Sequence, residues 1–343
     1  MADQSWALEA PPYQDGDEED TRGLAYQAAC AEYQVFPVSV YLRNLDESTL
    51  SLAHHALGPR GMQALAKGLS VNPQVTTLSL VDCWVGREGV QAIAQYLRAP
   101  GCALVSLDLT QNGLAGCGDA LGELIVADTS RMTRSLHTLN LSHNRMRDSD
   151  LVKMARHMAN MRIQCLNLSH NEFEERGAIE LAAALPKTAL RQLNLGWNHV
   201  TGASKEIVTA LQGTSSLTHL SLEENGLQPR AALDLAAMLA ANHLPLTSLN
   251  LGHCLADQAV LKALFDGLPS NRTLSELVLA QCPVTAPELL QTIVGKVPQC
   301  VALRTLDMRG CFVTEAGMQA AAELAQKCSR INLITNTEDD EPF

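Results

Sequence analysis

Hydrophobic positions along this chain alternate between two periods, and the alternation itself repeats. Triplets such as Leu78-Ser79-Leu80 have a period of two, which predicts a short strand with its leucines turned inward. After this triplet, Val90, Ile93, Ala94 and Leu97 fall at i, i+3, i+4 and i+7, one face of a helix. Met62, Leu65, Ala66 and Leu69 do the same one copy earlier. Gly61, Gly89, Gly118, Gly177 and Gly317 share one position at the predicted helix starts, where a bare backbone can pack closely. The copies are also alike in sequence. Leu139-Asn140-Leu141-Ser142-His143-Asn144 returns 27 residues later as Leu166-Asn167-Leu168-Ser169-His170-Asn171, and 27 later again as Leu193-Asn194-Leu195-Gly196-Trp197-Asn198.

Extending the hexapeptide gives the frame L-x-x-L-x-L-x-x-N/C-x-L, the signature of a leucine-rich repeat with one strand and one helix per unit. The frame opens at Val75, Leu104, Leu136, Ile163, Leu190, Leu217, Leu246, Leu274 and Leu303. Degenerate copies open at Glu47 and Cys328, making eleven units spaced 25 to 32 residues apart. The fold class expected is α/β: a right-handed solenoid, or horseshoe, with a parallel β-sheet on the concave face and α-helices on the convex face. Residues 47–335 form the solenoid. Residues 21–46 form an N-terminal cap: a helix from Thr21, with Thr21 as its N-cap, then the extended Val35-Phe36-Pro37-Val38, where Pro37 stops helix continuation. Residues 1–20 and 336–343 are acidic tails, and the composition of the first predicts disorder. The long 104–135 unit predicts a larger loop from Ala127 to Thr133.

Composition adjusts this picture in two places. Hydrophobic residues make up 46% of the chain and aromatics 4%, so leucine and alanine fill the thin repeated layers. Of the formal net charge of −12, all but one unit resides in the tails. Residues 1–20 hold seven acidic groups and 336–343 four, leaving 26 acidic against 25 basic residues in the body. There is no basic stripe for a phosphate backbone, so nucleic acid is not an expected partner. No apolar run is long enough to span a bilayer and no basic-then-apolar leader opens the chain, so no membrane is expected either. Cys83, Cys254, Cys282 and Cys311 occupy the N/C position of the frame as structural thiols, which predicts a reduced, cytoplasmic protein. The sequons at Asn140, Asn167 and Asn271 are read as unglycosylated.

Frame, unit length and helical outer half resemble the ribonuclease-inhibitor type of leucine-rich repeat. The opening, with Tyr26, Cys30, Pro37-Val38-Ser39, Leu42-Arg43, Leu57-Gly58-Pro59, Gly61, Ala64-Leu65-Ala66 and Asn72-Pro73, resembles the leucine-rich repeat-containing proteins numbered 74. That group implies the fold over nearly the whole chain and no established activity.

Candidate chemistry lies on the residues between and just after the inward leucines. The x of L-x-L reads Ser79, Asp108, Asn140, Asn167, Asn194, Ser221, Asn250, Val278 and Asp307, a polar ladder able to floor a binding site. The position before N/C reads Asp82, Gln111, His143, His170, Trp197, Glu224, His253 and Gln281. Trp197 stands out, because an indole at an exposed concave position is costly to leave wet and is a frequent binding hot spot. The site expected is a protein-binding surface of Trp197, His143, His170, Asn167, Asn194, Glu223, Glu224 and His253. The acids would steer a basic partner. The alternative for Trp197 is sideways packing against His170 or Glu224. His143 and His170 lack a third ligand, so no metal site is expected. Gly116-Cys117-Gly118 imitates a dinucleotide loop but is explained by the repeat, so no cofactor or small-molecule substrate is assigned. No nucleophile–base signature marks an enzyme. The reading is an intracellular scaffold or adaptor. The alternative is a GTPase-activating regulator acting through Arg87, since Trp84-Val85-Gly86-Arg87 loosely resembles the arginine loop of the Ran GTPase-activating family.

Overall fold

The computed structural model describes residues 20–127, 136–255 and 257–335. The N-terminal tail up to residue 19, the last eight residues and most of the expected 127–133 loop lie outside the described residues. Eleven strands of three residues each form one parallel sheet in sequence order: β1 Thr49–Ser51, β2 Thr77–Ser79, β3 Ser106–Asp108, β4 Thr138–Asn140, β5 Cys165–Asn167, β6 Gln192–Asn194, β7 His219–Ser221, β8 Ser248–Asn250, β9 Glu276–Val278, β10 Thr305–Asp307 and β11 Asn332–Ile334. Central leucines pair with central leucines from Leu50↔Leu78 through Leu306↔Leu333, without a slip. The register is uniform because a shift by one residue would turn every leucine to the open face. Each strand is one residue earlier than the L-x-L triplet. Thr77 and Ser79 are half-buried on the concave side, while Leu78 and Leu80 are buried.

The second hydrophobic layer comes from the helices. Val90, Ile93, Ala94 and Leu97 are all buried in Gly86–Arg98, as their spacing requires. The shared helix-start glycine is needed where backbones meet: a Cβ on Gly118 would lie 2.6 Å from the Asp150 Cα. Ahead of β1 lie α1, Thr21–Tyr33, and α2, Ser39–Arg43, joined by the extended 35–38 segment. The N-cap of α1 is Asp20, not Thr21: the Asp20 carboxylate accepts from the Arg22 backbone N–H at 2.9 Å. Aspartate wins because its carboxylate satisfies a free amide and faces the positive end of the helix. No helix among the described residues is long and apolar enough to cross a membrane.

Between the layers runs a polar spine. Asn112, Asn144, Asn171, Asn198 and Asn225 are buried at the N/C position, and each donates Nδ2 to a carbonyl of the preceding repeat. Cysteine does the same work with sulfur: Cys83, Cys254 and Cys311 Sγ reach the carbonyls of Leu52, Leu222 and Leu279 at 2.9, 2.8 and 2.9 Å. Burial pushes the thiols of Cys254 and Cys311 up to about 12. All ten cysteines are free. These thiols are structural donors in the solenoid, as the frame implies.

Candidate functional site

The concave ladder does not stop at the strand ends. Trp197 N–H donates to Glu223 O at 2.7 Å, His170 N–H to Gly196 O at 2.9 Å, and His143 N–H to Ser169 O at 3.1 Å. These bonds hold the residue before the N/C position in one column, repeat after repeat. Every member of the column that the sequence singled out has left-handed backbone, from Asp82 (φ 52°) to Gln281 (φ 58°). For a residue with a Cβ this conformation costs about 1–2 kcal/mol, and bulky residues rarely adopt it. Trp197 adopts it at φ 57°, whereas the same column accepts the cheaper Gly310 further on. Backbone hydrogen bonds to the next repeat hold the turn, and the Trp197 side chain is left half exposed.

Strand spacing then stacks the rings. Parallel strands lie about 4.8 Å apart, close to the separation of aromatic planes in contact. His143 and His170 stack with centroids 4.0 Å apart and planes 12° apart, and His170 stacks on Trp197 at 5.0 Å and 14°. Both readings of Trp197 therefore hold in part. The indole packs sideways on His170, yet it remains 47% exposed. Burial, and then the neighbouring His143, hold the His170 imidazole below its ordinary value, while Glu223 pulls the other way. His143 and His170 lie ring on ring in the stack.

The next two column members form a separate pair, with His253 Nδ1 2.9 Å from Glu224 Oε1. Glu223, one residue earlier, accepts from Asn250 Nδ2 at 3.0 Å. Asn167 and Asn194 stand on the floor of a shallow concave groove of about 380 Å³, which spans β4 to β8 and does not include Trp197. Of the eight expected residues, five occupy the rim column, Glu223 lies beside it, and the two asparagines lie on the floor.

Two corrections concern the floor. Its asparagines are less adaptable than their exposure implies: Asn140, Asn167 and Asn194 each use Oδ1 to accept the backbone N–H two residues on, at 3.1, 3.0 and 2.8 Å. That acceptor is therefore already engaged in all three. Sequence reasoning also missed a column. The first residue of each strand faces the groove as well, bringing in Thr138, Cys165, Gln192, His219 and Ser248. Strand alternation was the available signal: these residues share a face with the third strand position.

The other motifs are absorbed by the fold. Asp150 is 1% exposed and its carboxylate accepts from Gly116 N (3.1 Å), Gly118 N (2.9 Å) and Arg147 N (3.2 Å). The glycine loop that imitates a dinucleotide cradle is thus filled by a carboxylate of the next repeat. Arg87 is exposed and donates Nη2 to the Gly116 carbonyl. Glu172 pairs with Arg147 at 2.9 Å.

The family model described as "Leucine Rich repeat" matches residues 48–66, 71–94, 134–155 and 159–182. The chain is 28% identical over 287 residues to the NACHT, LRR and PYD domains-containing protein 5 of Bos taurus, covering 82% of this chain and 23% of that protein. It is 26% identical over 283 residues to the ribonuclease inhibitor of Sus scrofa, covering 81% of this chain and 55% of the inhibitor. A shorter match of 61 residues is 43% identical to human leucine-rich repeat-containing protein 74B, covering 18% of this chain and 16% of that protein. The chain spans about half, or less, of the length of these relatives.

Proposed function

We propose a protein-binding scaffold as the function of this chain, which is a leucine-rich-repeat protein of the ribonuclease-inhibitor type. The partner binds the concave face, with Trp197 as its anchor, in a reduced, intracellular setting that suits ten free cysteines. One observation carries the reading. Three aromatic rings are stacked in advance at the concave rim, and the last of them keeps 47% of its surface open on a left-handed backbone. A ring held in this way loses little rotamer freedom on binding, so desolvating it returns most of its apolar contribution. Non-catalytic binding also agrees with the relatives, one of which is by name an inhibitor of a protein.

The competing reading, GTPase activation through Arg87, gains no support from its surroundings, because the guanidinium donates to the Gly116 carbonyl of the neighbouring repeat. Affinity capture from lysate, comparing wild type, Trp197→Ala and Arg87→Ala, separates the two. Loss of a specific partner with Trp197→Ala alone is the expected result. Capture unchanged by Trp197→Ala refutes the site, and stimulated GTP hydrolysis that depends on Arg87 refutes the class.

A further inference from the structure

The middle of the concave wall carries carboxylates and no Lys or Arg. From β4 to β9, the first and third strand positions and the two positions before N/C hold Glu223, Glu224 and Glu276 as their carboxylates. Arg191 and Arg304 belong to the opposite edge, just ahead of β6 and β10. Among the described residues, none of the three carboxylates is paired with Lys or Arg. Glu223 accepts from the Asn250 amide, Glu276 from Ser248 Oγ at 2.7 Å, and Glu224 faces His253.

Glu223 is also given room. Its position in the repeat is filled by Ser142 and Ser169 earlier in the chain and by glycine on either side of it. A Cβ on Gly196 would lie 3.3 Å from the Glu223 Cβ, and one on Gly252 3.6 Å from its Cγ. The two glycines leave the floor open beside the carboxylate. Trp197 follows Gly196 in the chain: one face of its ring is taken by His170, and the following member of its column is Glu224. An indole whose next repeat supplies two adjacent carboxylates is suited to a cation, and the planar guanidinium satisfies both by lying on the ring and forking to oxygen.

We propose that this rim takes an arginine side chain of a basic protein segment, its guanidinium on the open part of the Trp197 indole and its N–H groups donating to Glu223 and Glu224. The proposal rests on the concave-face reading and names the chemistry of the partner. Arginine is favoured over lysine because an ammonium group can neither stack nor fork.

The test uses the full chain carrying Trp6→Phe and Trp84→Phe, so that emission reports Trp197. The probes are hexa-arginine, hexa-lysine and the neutral isostere hexa-citrulline. Hexa-arginine should change the emission saturably, hexa-lysine should bind several-fold more weakly, and hexa-citrulline at least tenfold more weakly. Glu223→Gln, alone and with Glu224→Gln, should weaken hexa-arginine at least tenfold in total while the far-ultraviolet circular dichroism stays unchanged. No saturable change, equal response to citrulline, or full binding by the folded double variant overturns the proposal. Binding confined to the acidic ends leaves Trp197 emission unaltered and overturns it too. If a captured partner is lost with Trp197→Ala but retained by the double glutamine variant, the arginine assignment fails and the concave site stands. Retention by Trp197→Ala removes both.

Discussion

Removing one member of the polar spine should cost more than removing a neighbour that looks equivalent in sequence. Asn171 is 6% exposed. Its Nδ2 donates to the carbonyls of Leu141, Leu168 and Ser169 at 3.0, 2.9 and 3.2 Å, and its Oδ1 accepts from Asn144 N and Met146 N at 3.1 and 3.0 Å. Asn171→Ala strips two buried N–H groups of their acceptor. Each such orphan costs about 1–3 kcal/mol, so the variant should lose about 2–6 kcal/mol before the carbonyls are counted. Asn167→Ala, four residues earlier, loses one acceptor bond to Ser169 N at the concave surface and should lose about 1 kcal/mol. Equilibrium urea denaturation followed by circular dichroism measures both, with the midpoint and slope determined together. A loss below about 1 kcal/mol for Asn171→Ala, or equal losses at the two sites, would refute the argument that buried amide satisfaction binds one repeat to the next.

Other sites give sharper single outcomes. Leu168→Ala empties a fully buried position and should cost about 2–5 kcal/mol by the same titration. Gly118→Ala would drive a Cβ against the Asp150 backbone and should cost about 1–3 kcal/mol from overpacking, measured as a lowered urea midpoint. Trp197→Ala should lower stability by only about 0.5–1.5 kcal/mol, the scale of one aromatic pair, because the ring is half exposed. His170 has its folded-state pKa depressed by burial and by His143. The unfolded chain therefore takes up a proton first as pH falls below about 6.5. Its contribution to stability is complete above that pH, declines below it and levels off beneath the folded pKa. His170→Asn should flatten that part of a stability profile recorded from pH 7.5 to 5, and an unchanged slope would contradict the assignment.

Much of this molecule is decided one repeat at a time, and that part is legible in sequence. A leucine in register eleven times leaves one way to bury all the copies, so the frame alone determines the sheet order, the helix faces and the roles of Cys83, Cys254, Cys282 and Cys311. Strand alternation alone would turn Trp197 inward with Leu193 and Leu195; the left-handed backbone at φ 57° leaves it half exposed instead. What sequence could not supply are properties of neighbouring repeats acting together. The left-handed turn of the rim column arises from backbone bonds to the next repeat, and a ring at position 197 stacks only because position 170 is one strand spacing away. The asparagine floor is half spent because each Oδ1 folds back on its own chain, which leucine spacing does not encode. Asp150 reads as an ordinary acid in a helix, yet the next repeat of the solenoid seals the Gly116–Gly118 loop with it. Local periodicity records which side chains must leave water. The partners of the buried spine and of Asp150 are decided by the stacking of repeats, because those bonds join residues 25 to 35 positions apart.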